Sequence, residues 1–312
     1  MPCAPANIRV LENNEMRTNK RTPLGWIWLF LLPTVILYSI YTIYPIITTV
    51  RYSFMNWSGF SLSGKFVGLD NYRELFQDDL FWNAVKNTFL YLSYAVPGRF
   101  LLSFLLALIL TAKFTPAKAV FRTMIFIPVV TTGAIIGTIM TMIFDPGNGP
   151  VNLILSKLHL IDSSVFFLGN GKTALATSSI IWIWKWTGTS LIYWIASLQS
   201  IPHELYEAAT IDGAGAWGKF KAITIPLLVP YGIIIFVLTL SDAMKVFDLM
   251  LTLTGGGPFF KTEVIELFIY RHAFTSSVPR VGYASSAATI FGLIFVAITL
   301  VQAIPKRSKG GR

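Results

Sequence analysis

"ELYEAATIDGAGAWGKFKAITIPLL", Glu204–Leu228, is the stretch on which the reading of this chain turns. Gly213, Gly215 and Gly218 spell G-x-G-x-x-G, the glycine spacing of a dinucleotide-binding turn. That turn works only behind a buried strand, where the glycines bring a helix amino-terminus to a pyrophosphate. The residues ahead, "ASLQSIPHELYEAAT", read instead as the end of an apolar segment followed by a helix. Ser200 is expected to cap that helix, with Pro202 in its first turn, where a missing N–H costs little. Glu204 and Glu207 lie near the positive end of its dipole. Without a preceding strand the cofactor reading fails, and the glycines need another explanation.

Composition supplies the setting. The chain has 312 residues, 54% of them hydrophobic, with mean hydropathy +0.62 and only 13% charged. Soluble domains carry about a quarter charged residues, so an aqueous globule is excluded. Cys3 is the single cysteine, and the three histidines, His159, His203 and His272, are far apart. Neither a disulfide framework, a metal cluster nor a histidine-based triad is supported. The net charge of +10 has to be read against a membrane rather than nucleic acid.

A membrane-crossing helix needs about 20 mainly apolar residues. Six segments qualify: 24–48, 88–110, 120–143, 174–198, 225–253 and 283–304. The termini and alternate loops carry 13 cations against five acids, Glu12, Glu15, Glu204, Glu207 and Asp212. The opposite loops carry nine cations and eight acids. Excess Lys and Arg marks the cytoplasmic side, which places both termini and the Glu204–Leu228 stretch inside. The first 20 residues are polar and charged, unlike a secretory signal, and Met16 ahead of a basic run reads as a plausible true start. Amino-terminal sequencing of the native protein is expected to begin at Met16 or just after it; a start at Met1 or Pro2 contradicts this.

Two outer segments are informative. "GLDNYRELFQDDLFWNAVKNT", Gly68–Thr88, spaces Leu69, Tyr72, Leu75, Phe76, Leu80, Ala84 and Val85 as one or two interfacial amphipathic helices running into the second span. "FFLGNGKT", Phe166–Thr173, contains Gly-Lys-Thr, but Phe166 stands where a phosphate loop requires its first glycine. It too is a decoy.

Gly213 is expected to end a short helix in the left-handed conformation glycine adopts freely, with Gly215 and Gly218 continuing the bend. The product is a helix–turn–helix on the cytoplasmic face. "EAATIDGAGAWGKFKAITIP" resembles the EAA loop of binding-protein-dependent ABC transporter permeases, whose pattern is E-A-A-x3-G-x9-I-x-L-P. Glu207, Ala208, Ala209, Gly213, Ile223 and Pro226 fall in register, and Ile225 replaces the leucine. "VFDLMLTLTGGGP" and "TEVIELFIYRHAF" look like the carbohydrate-uptake group, first-subunit maltose-permease type, in its six-span form.

The resemblance implies an all-α integral membrane protein with six transmembrane helices and a cytoplasmic coupling helix, the type I ABC importer permease fold. It implies tails at 1–23 and 305–312 around a permease domain at 24–304, with the coupling loop at 199–224. It further implies a second permease, two ATPase subunits holding ATP and Mg, an extracytoplasmic solute-binding protein and a sugar-type substrate. This chain would itself be no enzyme and carry no cofactor, in a prokaryotic plasma membrane. Glu204, Glu207, Ala208, Ala209, Asp212, Gly213 and Gly215 would couple to the ATPase.

Charges inside spans are costly and default to pathway candidates. They are Arg99, Lys185, Asp242, Lys245 and Asp248. The last three are spaced three apart, so Lys245 is expected to reach either neighbour along one helix face, as a packing ion pair or a polar stripe lining a cavity. Trp182, Trp186, Thr189 and Tyr193 form a stripe on the fourth span that suits stacking against sugar rings or simple packing, while Trp184 falls off it and faces lipid or a neighbour. Three cations against two anions, with Arg99 lacking a local partner, leave room for an acidic solute such as a uronate oligosaccharide or a phosphorylated polyol. The alternative is a self-sufficient ion-coupled carrier using Asp242 or Asp248, against which the lack of a visible repeat counts.

Overall fold

The computed structural model describes residues 24–61, 64–112 and 116–303. Both expected tails, Met16 and most of the terminal cations lie outside the described residues. The chain divides into two compact units, residues 1–51 and 52–312. In the first, α1 (Leu24–Tyr38) passes through a π-helical turn, Ser39–Ile43, into α2 (Tyr44–Tyr52), whose last residue opens the second unit.

The second unit begins with a two-residue antiparallel ribbon, β1 (Met55–Asn56) and β2 (Lys65–Phe66). The interfacial segment forms α3 (Asp70–Gln77), and α4 (Asp79–Thr111) then runs unbroken from that interface through the second span. The Asp78 side chain accepts the Leu80 N–H at 2.8 Å and so starts α4. Along α4, Leu101, Leu105 and Ile109 are exposed, whereas Arg99, Ser103 and Ala107 are buried. A helix with large apolar side chains outward and polar or small ones inward is built for lipid, where close packing rather than water exclusion holds helices together.

The third span is two helices, α5 (Lys118–Val130) and α6 (Gly133–Ile143), meeting at 102°. Thr131 and Thr132 between them are extended, and the Thr132 hydroxyl accepts the Ile135 N–H to begin α6. A short helix, α7 (Pro150–Lys157), precedes the central α8 (Ala174–Gln199). The elbow helices α9 (His203–Ile211) and α10 (Ala216–Lys219) follow, and α10 continues through a π-helical turn into α11 (Ile225–Ala243). The fifth span is also broken, with α12 (Phe247–Leu253) separated from α11 by Met244–Val246. The chain ends with α13 (Ile265–Tyr270), running into a π-helical turn, and α14 (Val281–Ala303).

Among the described residues, four helical runs are long and apolar enough to cross a membrane, and the bent α5–α6 pair adds a fifth where it is counted as one broken span. The fourth expected span, α8, has the length but is polar, and its polar side is covered by protein: Thr177, Ser178, Ser179, Lys185, Thr187 and Ser190 are all buried. At about 1.5 Å per residue, its 26 residues reach about 39 Å, from the outer layer to the elbow.

At the end of α4 away from the elbow, Asn83 and Asn87 donate to the Phe260 carbonyl at 2.7 and 2.9 Å, fastening the loop after α12. Within that loop burial pushes the Glu263 carboxyl up, against the opposing pull of Arg271 at 3.0 Å. Arg280 pairs with Glu74, and the Tyr283 hydroxyl donates to Asp78 at 2.6 Å, docking α14 on the interfacial helix.

α8 packs extensively on α4 and also crosses α5. At that second crossing a Cβ on Gly188 would lie 2.7 Å from the Ile125 carbonyl oxygen and 3.0 Å from the Phe126 Cα, both backbone atoms. Gly188→Val is therefore expected to destabilise the protein by roughly 1–3 kcal/mol or more through overpacking, read as a lowered unfolding temperature in detergent. An unchanged midpoint contradicts this crossing.

Candidate functional site

The elbow is built on a helix end and a helix start. Ser200 closes α8, its hydroxyl donating to the Ser197 carbonyl at 2.8 Å, so the expected role as cap of α9 is corrected. Pro202 is the residue before α9 rather than in its first turn, and α9 has no side-chain cap. At the other end Gly213 has φ +77°, with Gly213 N–H donating to Thr210 and Ala214 N–H to Ala209. These paired bonds close the helix around a left-handed residue. No atom crowds Gly213 within 4 Å, so conformation rather than space requires the glycine. Gly215 has an ordinary φ of −70° and starts α10, while Gly218 lies inside α10 and does not continue the bend.

Two contacts fix the angle of the elbow. The Tyr206 and Thr224 hydroxyls meet at 2.8 Å, and the Lys219 ammonium donates to the Thr210 hydroxyl at 2.7 Å. Glu204, Glu207, Ala208 and Asp212 are exposed and Ala209 is half-buried; Glu207 meets the His203 ring at 3.1 Å. Ile211 is 87% and Trp217 73% exposed, with Trp217 stacked on Phe220. Exposed apolar side chains of this size commonly mark protein or membrane contact surfaces. From Ala216 the helical run is continuous to Ala243, 28 residues.

At the far end of that run lies a polar centre. Arg99 is fully buried and donates through Nη1 to Asp242 at 3.0 Å, with Asp242 43% exposed. The guanidinium also lies over the Trp182 ring, 5.2 Å from its centroid. The expected Asp242–Lys245–Asp248 stripe is corrected: the break at Met244–Val246 divides it, Asp242 turns to Arg99, and Lys245 and Asp248 are exposed.

Lys185 serves a different purpose. It is 2% exposed, and its ammonium donates to the carbonyls of Thr131 at 2.8 Å and of Pro128 and Val129 at 3.4 Å. These are the orphaned acceptors where α5 ends, so one lysine satisfies the break in the third span. Its charge also sits 4.1 Å from the Trp186 ring centroid. Of the aromatic stripe, Trp182 is buried, Trp186 and Thr189 are half-buried and Tyr193 is exposed; Trp184, off the stripe, is exposed too.

Sequence reasoning missed Glu266, whose carboxylate accepts the Val246 N–H at 2.9 Å and thereby caps α12 across the second break. An acid inside the apolar run "VIELFIY" was the available signal.

Residues 89–309 match the family model of the binding-protein-dependent transport system inner membrane component. The chain belongs to that family. The match takes in the elbow and both polar centres. Among curated relatives, the probable ABC transporter permease protein YurN of Bacillus subtilis is 36% identical over 88% of this chain and 94% of its own length. The multiple sugar-binding transport system permease protein MsmF of Streptococcus mutans is 32% identical over 89% and 93%. Among solved structures, a bacterial alginate ABC transporter in complex with alginate pentasaccharide-bound periplasmic protein contains a chain superposing with TM-score 0.79 at 26% identity, over 95% of this chain and 100% of that one. This family member is thus a membrane permease with the ABC importer permease fold.

Removing the Lys185 ammonium leaves buried carbonyls without donors. Lys185→Met is expected to lower stability by about 1–3 kcal/mol, measured as thermal unfolding in detergent; an unchanged midpoint with transport abolished would instead mark Lys185 as a pathway group.

Proposed function

We propose that the chain is a transmembrane permease subunit of an ATP-driven importer for a carbohydrate, with the elbow receiving force from a separate ATPase. The observation that carries this reading is the continuous helical run from Ala216 to Ala243. It joins the exposed apolar elbow directly to the Arg99–Asp242 pair, about 42 Å away at about 1.5 Å per residue. A push on Trp217 or Ile211 moves the rod, and the rod carries Asp242 relative to α4 and α8.

In this reading Glu204, Glu207 and Asp212 make polar contacts with the ATPase, Ala208 and Ala209 allow its close approach, and Gly213 with Gly215 shapes the turn. Both termini and the elbow are cytoplasmic, following the cation excess. A second permease completes the pathway, two ATPases drive it and an extracytoplasmic binding protein delivers the solute. A carbohydrate cargo is supported by the sugar-named relatives and by the alginate transporter neighbour. The pathway is centred on Arg99, Trp182 and Asp242, whereas Lys185 works behind it as a helix cap. The Arg99 pairing disfavours an ion-coupled carrier, since Asp242 already holds a fixed cation.

A branched side chain at φ +77° costs about 1–3 kcal/mol, which the elbow can relieve only by changing shape. Gly213→Val is expected to leave the protein inserted but cut solute uptake by the assembled transporter to below about a tenth. Uptake at the unsubstituted level contradicts the coupling role.

A further inference from the structure

A cavity of about 190 Å³ opens at the outer end, where α4 and α8 meet the loop after α12. Lys86 on α4, Lys172 ahead of α8 and Lys261 in the loop converge on it, with Asn83, Asn87 and Tyr94 between them, and no acid lines it. Three elements of the fold each supply one ammonium. Gly171 lets the Lys261 stem lie close, since a Cβ there would stand 2.9 Å from its Cγ. Like charges gathered in a concave site with low-dielectric walls concentrate an attractive field for anions.

The cavity does not stand alone. Asn83, Asn87, Tyr91, Ala95 and Arg99 recur every four residues on one face of α4, leading inward from the cavity. Among the described residues, Tyr91 Oη, Arg99 Nε and Nη2 and Trp182 Nε1 are buried without hydrogen-bond partners. Tyr91 packs edge-on against Trp182, which lies beneath Arg99. Asp242 takes only Nη1, so the unused Nε–Nη2 edge is the one that grips a planar carboxylate with two parallel bonds. Buried donors ordinarily have partners, and this set offers almost no acceptor of its own.

We propose that the lysine cavity receives a carboxylate-bearing sugar unit of the transported solute, and that the α4 face below it, ending at Arg99, is the track along which that acidic group is handed inward when the span opens. This rests on the importer reading and adds that the cargo is an acidic saccharide. Among the described residues the outer lysines pair with no carboxylate, and all three are exposed, so their removal spares the packed core.

The test uses the transporter assembled from native membranes, in vesicles with its binding protein, and two probes: a mixed galacturonate and mannuronate oligosaccharide pool, and maltotriose. The expected result is uptake of the uronate pool at least about tenfold above maltotriose, an advantage that shrinks as salt screens the exposed lysines. The triple variant Lys86→Gln, Lys172→Gln, Lys261→Gln should lose most of the uronate uptake. Arg99→Lys, which keeps the charge but not the two-pronged edge, should do the same. Equal or preferential uptake of maltotriose overturns the proposal and leaves the importer reading standing. A triple variant with both probes reduced alike overturns it in favour of a docking role for the lysines. A loss that follows the phosphatidylglycerol content of the vesicles overturns it in favour of a lipid headgroup site. Uptake of neither probe by the unsubstituted transporter removes the importer reading and the proposal together.

Discussion

Inside a hydrocarbon layer no water takes up a lost hydrogen bond, so every break in a spanning helix needs a protein group to repair it. Among the described residues, two such breaks stand at Thr131–Thr132 and at Met244–Val246, and each is met by an ionisable side chain from a neighbouring element. Lys185 supplies donors to the carbonyls ending α5, and Glu266 supplies an acceptor to the N–H that starts α12. The half-helices beyond the breaks, α6 and α12, then pack closely, since a side chain on Gly137 would strike the Thr252 hydroxyl. Charge in these spans is first of all structural.

The breaks explain how a membrane protein can be both firm and movable. In the proposed coupling, the unbroken run from Ala216 to Ala243 would carry force along its axis. It ends where the fifth span is interrupted, beside the Arg99–Asp242 pair, so in the proposed coupling a displacement of the rod would fall on that ion contact and on the break that Glu266 caps. At the other end the glycine turn at Gly213 and the two hydroxyl and ammonium contacts hold the elbow at one angle.

The mainly helical membrane fold, the amphipathic α3, the glycine that closes α9 and the family were legible in the sequence because each depends on local composition or spacing. The fourth span was readable by length even though its serines, threonines and Lys185 make it too polar to pass on apolarity. The breaks were not legible. Thr131 and Thr132 sit within an apolar run, and averaging over a span conceals two extended residues. The partner of Arg99 lies 143 positions away, a contact that no spacing rule encodes. The same limit produced the mistaken Asp242–Lys245–Asp248 stripe, which assumed one continuous helix. Ser200 was misassigned because a serine between two helices can end the first as readily as cap the second.

The account stands on opposite exposure of the elbow and the outer loop. Ile211 and Phe259, 87% and 91% exposed, mark the two ends. With Cys3 replaced by serine, single cysteines at these positions can be treated with a membrane-impermeant maleimide in intact cells and in inverted vesicles. Ile211→Cys should react only in inverted vesicles and Phe259→Cys only in intact cells. Labelling of the elbow cysteine in intact cells would mean that no cytoplasmic motor can reach it, and the force-transmitting role would be lost.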